Sequence, residues 1–121
     1  MERPHKRLDA WKLAVDLAIL VYHATEGFPK EERFGLVNQI RRAAVGIPAN
    51  IAEGAARKSK KEFVQYLHVA RGSVSELDTH LEIARRLGFI EEALWKELNG
   101  QIERADMLLA GLLRSQKSCR L

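Results

Sequence analysis

With 121 residues, 46% apolar and 30% charged, the chain has the size and composition of one soluble globular domain with its own core. The lone cysteine, Cys119, excludes an intrachain disulfide, and no apolar run approaches the roughly 20 residues of a membrane span. The start, Met1-Glu-Arg-Pro-His-Lys-Arg-Leu8, has no signal-peptide apolar centre, so no membrane partner and a cytoplasmic location are expected.

Residues 1–8 are polar, contain Pro4 and read as an N-terminal arm. Asp9 can cap a first helix over residues 10–26, which Gly27-Phe28-Pro29 ends. Its polar side chains, Lys12, Asp16 and His23, share one narrow strip with Ile19. Leu13, Leu17 and Leu20 lie on one side, and Trp11, Ala14, Ala18 and Val21 on another, more apolar surface than one core normally takes. Part of that surface is therefore expected to be a subunit interface, the alternative being a helix tightly surrounded within its own bundle.

A charged connector leads to a second helix over residues 36–56, with Leu36, Ile40, Ala43, Ile47 and Ile51 inward. Pro48 sits in its middle, where the lost amide and the crowded preceding turn predict a bend near Gly46. Small residues crowd this helix. Ala70, Gly72 and Ser73 answer them on the third helix, so these two are expected to touch.

The third helix, residues 59–87, is the longest seam: Phe63, Leu67, Ala70, Val74, Leu77, Leu81 and Ala84 alternate by four and three. Ser59 and Glu62 form a capping box at its start. Gly88 can take the left-handed conformation at its end, with Phe89 placed to pack back. At about 1.5 Å per residue it is a rod of about 42 Å. A fourth helix over residues 91–115 repeats the seam through Trp95, Leu98, Ile102, Ala105, Leu109 and Leu112, and residues 116–121 read as a basic tail. Short connections make neighbours antiparallel, so the expected fold is all-α, an up-down four-helix bundle in a single domain.

The charge is unevenly placed. Residues 1–35 cancel, residues 62–113 are net negative, and positive charge gathers in residues 36–61 and in Arg114, Lys117 and Arg120. Lys60 and Lys61 occupy the first turn of the third helix, where its dipole disfavours cations. Helix stability does not explain them; a phosphate-bearing partner would. The candidate nucleic-acid contacts are Arg41, Arg42, Arg57, Lys58, Lys60 and Lys61. Solvated lysines are the bland alternative, and no helix-turn-helix or RNA-recognition signature accompanies the cluster.

Other chemistry finds little purchase. The single Glu-x-x-His is Glu2–His5, and His68 and His80 lie about 120° apart around one helix, so no metal or cofactor is expected. No nucleophile elbow or phosphate loop occurs, and no catalytic residue is assigned. Pro48, Asn50 and Glu53 form a polar cluster at the expected bend. They either satisfy backbone freed by the proline, or join Ser73 or Glu76, or hold a small polar ligand.

The run Gln39-Ile-Arg-Arg-Ala-Ala-Val-Gly-Ile-Pro-Ala-Asn-Ile-Ala-Glu-Gly54, with Arg57-x-Ser59-x-x-Glu62-Phe63 and Ala70-x-Gly72-Ser73-x-x-Glu76-Leu77, resembles the 23S rRNA intervening-sequence proteins. Leu8-Asp9-Ala10-Trp11 and the Leu87-Gly88 ending are similar to that family too. The resemblance implies a bacterial cytosolic bundle of antiparallel helices that assembles as a homopentamer, without enzymatic activity. It also implies likeness to the accessory protein of diversity-generating retroelements, a basic pentamer binding nucleic acid and a reverse transcriptase. The expected function is a homo-oligomer binding structured RNA, or DNA, through its basic surface. The alternative is an oligomeric scaffold that recruits a protein partner.

Overall fold

The computed structural model describes residues 3–118. Four helices fill it: α1 (Asp9–Thr25), α2 (Leu36–Ala55), α3 (Lys60–Arg86) and α4 (Glu92–Ser118). Each packs against the next, and α4 closes against α1 without packing across either diagonal. The result is an antiparallel up-down four-helix bundle, with no strand among the described residues.

The helix boundaries follow local chemistry. Asp9 is the first helical residue of α1 rather than its cap, with its carboxylate near the positive pole of the helix. Ahead of it, Pro4–Arg7 forms a short 3-10 turn that packs on α1 and α2, with the His5 ring edge-on to Trp11 at 4.9 Å. Ser59 caps α3 by accepting from the Glu62 amide at 3.1 Å. At the other end Gly88 has φ of 79°, and the Phe89 amide returns to the Ala84 carbonyl at 2.9 Å. Phe89 then packs on Phe28 with ring centroids 5.5 Å apart. The helical part of α4 runs past residue 115 to Ser118, so Gln116 and Lys117 belong to the rod. The remaining tail residues, Cys119 and Arg120 among them, lie outside the described ones.

The core is the merged seams. Leu67, Ala70, Val74, Leu77, Leu81 and Ala84 of α3 are buried, as are Ile40, Ile47 and Ile51 of α2 and Leu98, Ile102 and Leu109 of α4. In the last turns of α4 the inner position passes to Leu113, and Leu112 moves to the flank. Most of α1's apolar surface is covered: Ala10, Ala14, Leu17 and Val21 are buried, while Trp11, Leu13, Ala18 and Leu20 are half-buried against the core. Ile19 and Tyr22 are its exposed large apolar side chains.

The closest helix pair is α2 with α3, and two glycines of α2 make it so. A Cβ on Gly54 would lie 2.7 Å from Tyr66 Cβ and 3.0 Å from Phe63 Cδ1, and one on Gly46 would lie 3.0 Å from Ser73 Oγ. Gly72 does not take part: it is exposed, and a Cβ there would meet nothing within 4 Å. Helix α2 stays helical through Pro48, which is buried in the core.

This contrast generates a paired prediction. Gly72→Ala should raise stability by up to about 1 kcal/mol, because alanine restricts the unfolded chain and fits the helix. Gly54→Ala gains the same propensity but forces α2 and α3 apart, and a net loss of about 1–3 kcal/mol is expected. Urea titration of the two variants reads both signs, and a Gly54→Ala protein as stable as the parent would mean the helices are not so close.

Candidate nucleic-acid interface

The junction between α2 and α3 carries four of the six predicted contacts, and they behave in two ways. Arg57, in the connector, folds back on the end of α2. Its Nη2 donates to Glu53 Oε2 and to the Tyr66 hydroxyl, both at 2.8 Å, and its guanidinium lies 5.1 Å from the Tyr66 ring centroid. Tyr66 first, then Glu53 and Glu62, raise its pKa above the ordinary arginine value. Arg57 therefore braces the junction. The side chains of Lys58, Lys60 and Lys61 are exposed and make no hydrogen bond or ion pair with any described residue.

Arg41 and Arg42 sit elsewhere. Arg42, fifteen residues before Arg57, lies roughly 22 Å from it along the axis of α2. It is exposed, beside a shallow cleft shared with Gln39, Ser73 and Glu76. Arg41 turns to the end of α1, where its Nε donates to Thr25 Oγ1 at 2.9 Å and its Nη2 to the Tyr22 carbonyl at 3.3 Å. Its guanidinium also lies 4.5 Å from the Tyr22 ring centroid. A cation at the C-terminal pole of a helix, bonded to a carbonyl there, favours the folded state. The six residues are thus not one surface: two are tied into the fold, one stands apart, and three lysines are free.

The topology supplies replacements that the linear reading did not assign to the site. Because α3 and α4 are antiparallel, the end of α4 lies beside the start of α3. Arg114 and Lys117 there face Lys60 and Lys61 across a groove of about 700 Å³. Val64, Ala110 and Leu113 line its apolar part, with Gln65, His68 and Gln116 along its sides. Arg71, whose Nε and Nη2 donate to Asp106 at 2.9 and 3.1 Å, stands between this groove and a second cleft further along the same two helices. The hydrogen bond that Arg71 donates to Asp106 raises the Arg71 pKa. Lys12 near the start of α1 and Lys58 in the connector after α2 belong to the same end of the bundle, so cations from α1, α3, α4 and that connector share it. The opposing carboxylates at this end are Asp9, Glu53 and Glu62, and Glu53 and Glu62 already face Arg57.

The polar cluster at Pro48 is divided as well. Asn50 is half-buried, and its Nδ2 donates to the Gly46 carbonyl at 2.7 Å. Proline's missing amide would instead have reached Ala44, so Asn50 bonds a neighbour of the freed group rather than the group itself. Glu53 is exposed and pairs with Arg57, not with Ser73 or Glu76. Among the described residues no group of three or more His, Cys, Asp or Glu side chains is placed to hold a metal ion, and no helix is long and apolar enough to cross a membrane.

The sequence profile of the 23S rRNA-intervening sequence proteins matches residues 6–111. The chain belongs to that family. The family match spans all four helices and stops just short of Arg114 and Lys117. No curated protein matches the chain. Among solved structures, the chain is similar to a protein of unknown function from the S23 ribosomal protein family of Bacteroides thetaiotaomicron VPI-5482, solved at 1.70 Å. The two share 21% sequence identity with a TM-score of 0.78, over 86% of this chain and 97% of that one. At that identity the likeness establishes the shared bundle fold and nothing further.

Arg41→Ala should lower stability by about 1–3 kcal/mol, the range for lost hydrogen bonds to a charged group and the partner left behind. Arg42→Ala, one residue on, should leave the denaturation midpoint where it was. Equal midpoints for the two variants would remove Arg41 from its bracing role.

Proposed function

We propose that this member of the 23S rRNA-intervening sequence family is a non-enzymatic homo-oligomer that binds structured RNA through the basic end of its bundle. The observation that carries the reading is the meeting of Lys60 and Lys61 with Arg114 and Lys117 at one end of the molecule, unpaired among the described residues. Cations placed against the dipole of α3 weaken the helix slightly, and phosphate contact offsets that cost by releasing counterions. Lysines on flexible stems suit the phosphate path of a folded RNA better than base edges, so shape is what such a surface reads. The family's name links its members to sequences interrupting 23S rRNA, which agrees with an RNA ligand.

The oligomeric part of the reading draws on another face. Tyr22 and Val45 line a shallow cleft between α1 and α2, Ile19 lies one turn before Tyr22, and Phe34, 89% exposed, projects from the connector beside Arg33. Exposed apolar side chains like these, set among Arg33, Arg41 and Arg42 of the same cleft, fit contact with a second copy that leaves the basic end open.

Two measurements test this. A structured RNA hairpin should bind with an affinity that falls steeply as salt rises, and Lys60→Ala with Lys61→Ala should reduce the slope of log affinity against log salt by about one to two. Binding that is absent at low salt, or unchanged in the double variant, would overturn the RNA reading. Light scattering of the parent should give several times the chain mass, and Ile19→Glu with Val45→Glu should return it to one chain; a parent that is already monomeric ends the oligomer claim.

A further inference from the structure

We propose that the groove between α3 and α4 seats one unpaired nucleotide of the bound RNA, with the base on the apolar floor and the adjoining phosphates on the rim. The inference rests on the RNA reading above and narrows its ligand to RNA with a bulged or looped-out residue. A surface that only follows phosphates needs charge and a gentle contour. This one has more: a recess of about 700 Å³ set between the two pairs of cations, floored by Val64, Ala110 and Leu113. Such a recess is wasted on a regular duplex, whose bases are stacked inside, but it accepts a base that has left the stack.

The polar side chains are placed for the same task. Gln65 and His68 are exposed on α3 at the groove's side and have no partner among the described residues. An amide can donate to and accept from a base edge, and an imidazole ring offers a flat surface for stacking. The form of the apolar floor, Val64 with Ala110 and Leu113, also favours a nucleotide over a helical peptide. A docked helix needs an apolar track with anchors over two or more turns, whereas here the apolar floor is one cluster.

The test uses two RNA hairpins with the same stem, one fully paired and one carrying a single bulged nucleotide. The bulged RNA should bind about tenfold tighter, within what one stacked base contributes, and with the same salt slope because the base is uncharged. Ala110→Phe, which fills the floor, should erase the preference and leave the slope intact. Should that variant melt early, Gln65→Ala with His68→Ala alters exposed side chains outside the core and should reduce the preference instead. Equal affinity for both hairpins, or a preference that survives in the variants, overturns the nucleotide site while leaving RNA binding standing. Loss of salt-dependent binding to both hairpins overturns the two readings together. An acidic amphipathic peptide that binds the parent and not Ala110→Phe, where neither RNA binds, would assign the groove to a protein partner and end the proposal.

Discussion

At Gly54 two helices lie so close that a single methyl group would collide with Tyr66 and Phe63. Contact at that distance leaves α3 little freedom to roll or tilt about α2, and it comes just before the junction that turns the chain into α3. Arg57 completes the fixation by tying Glu53 of α2 to Tyr66 of α3. Together these contacts set the direction in which the first turn of α3 points, and with it the placement of Lys60 and Lys61. Close approach on one side also has a consequence on the other. Helix α3 hugs α2 through glycines and alanines, while toward α4 it presents the larger Val64, His68 and Arg71. The space between those two helices is left as grooves rather than filled by interlocking side chains.

The charge distribution depends on the same topology. In an up-down bundle the start of α3 must neighbour the end of α4, so basic residues more than fifty positions apart in the chain become one surface. At the far end of the molecule the balance is different, because carboxylates outnumber cations there and the two arginines that end α3 are paired. Arg85 binds Glu92 at 3.1 Å and lies 3.9 Å from the Trp95 ring centroid, and Arg86 binds Glu82 at 2.8 Å. Hydrogen bonding from Arg86, with Arg85 adding to it, holds the Glu82 carboxyl below its ordinary pKa. One end of the bundle thus carries paired arginines among an excess of carboxylates and the other an excess of positive charge, although both are built from the same helices.

The fold was legible in the sequence because its signals are local. The four-three alternation of α3, the Ser59–Glu62 start and the Gly88 stop each act within a turn or two, and each is where the spacing placed it. The end of α4 was harder, since no glycine or proline follows to stop it and the helix continues through Ser118. The site was legible only in part. Lys58, Lys60 and Lys61 could be picked out from their conflict with the helix dipole. Arg41 could not be set aside, because its partners Thr25 and Tyr22 lie on another helix at a distance no periodicity encodes. Gly54 and Gly72 look alike in the chain, yet one is pressed against aromatic side chains and the other faces open space. Arg114 and Lys117 were visible as charge, and their role beside α3 depends on knowing which helix ends meet.

The choice between arginine and lysine sorts these charges further. Arg41, Arg57, Arg71, Arg85 and Arg86 all have defined partners, and three of them also lie over an aromatic ring. Among the described residues no lysine side chain makes a hydrogen bond or an ion pair. A planar guanidinium with five donors loses little freedom for each bond it makes and stacks on rings, so it can fix one helix to another. An ammonium on a four-carbon stem is a mobile point charge that stays hydrated until something more strongly charged arrives. In this bundle arginines of the first kind brace the frame and lysines crowd the open end. That division matches a surface that must yield to the contour of a folded polyanion rather than impose a fixed hydrogen-bond pattern on it.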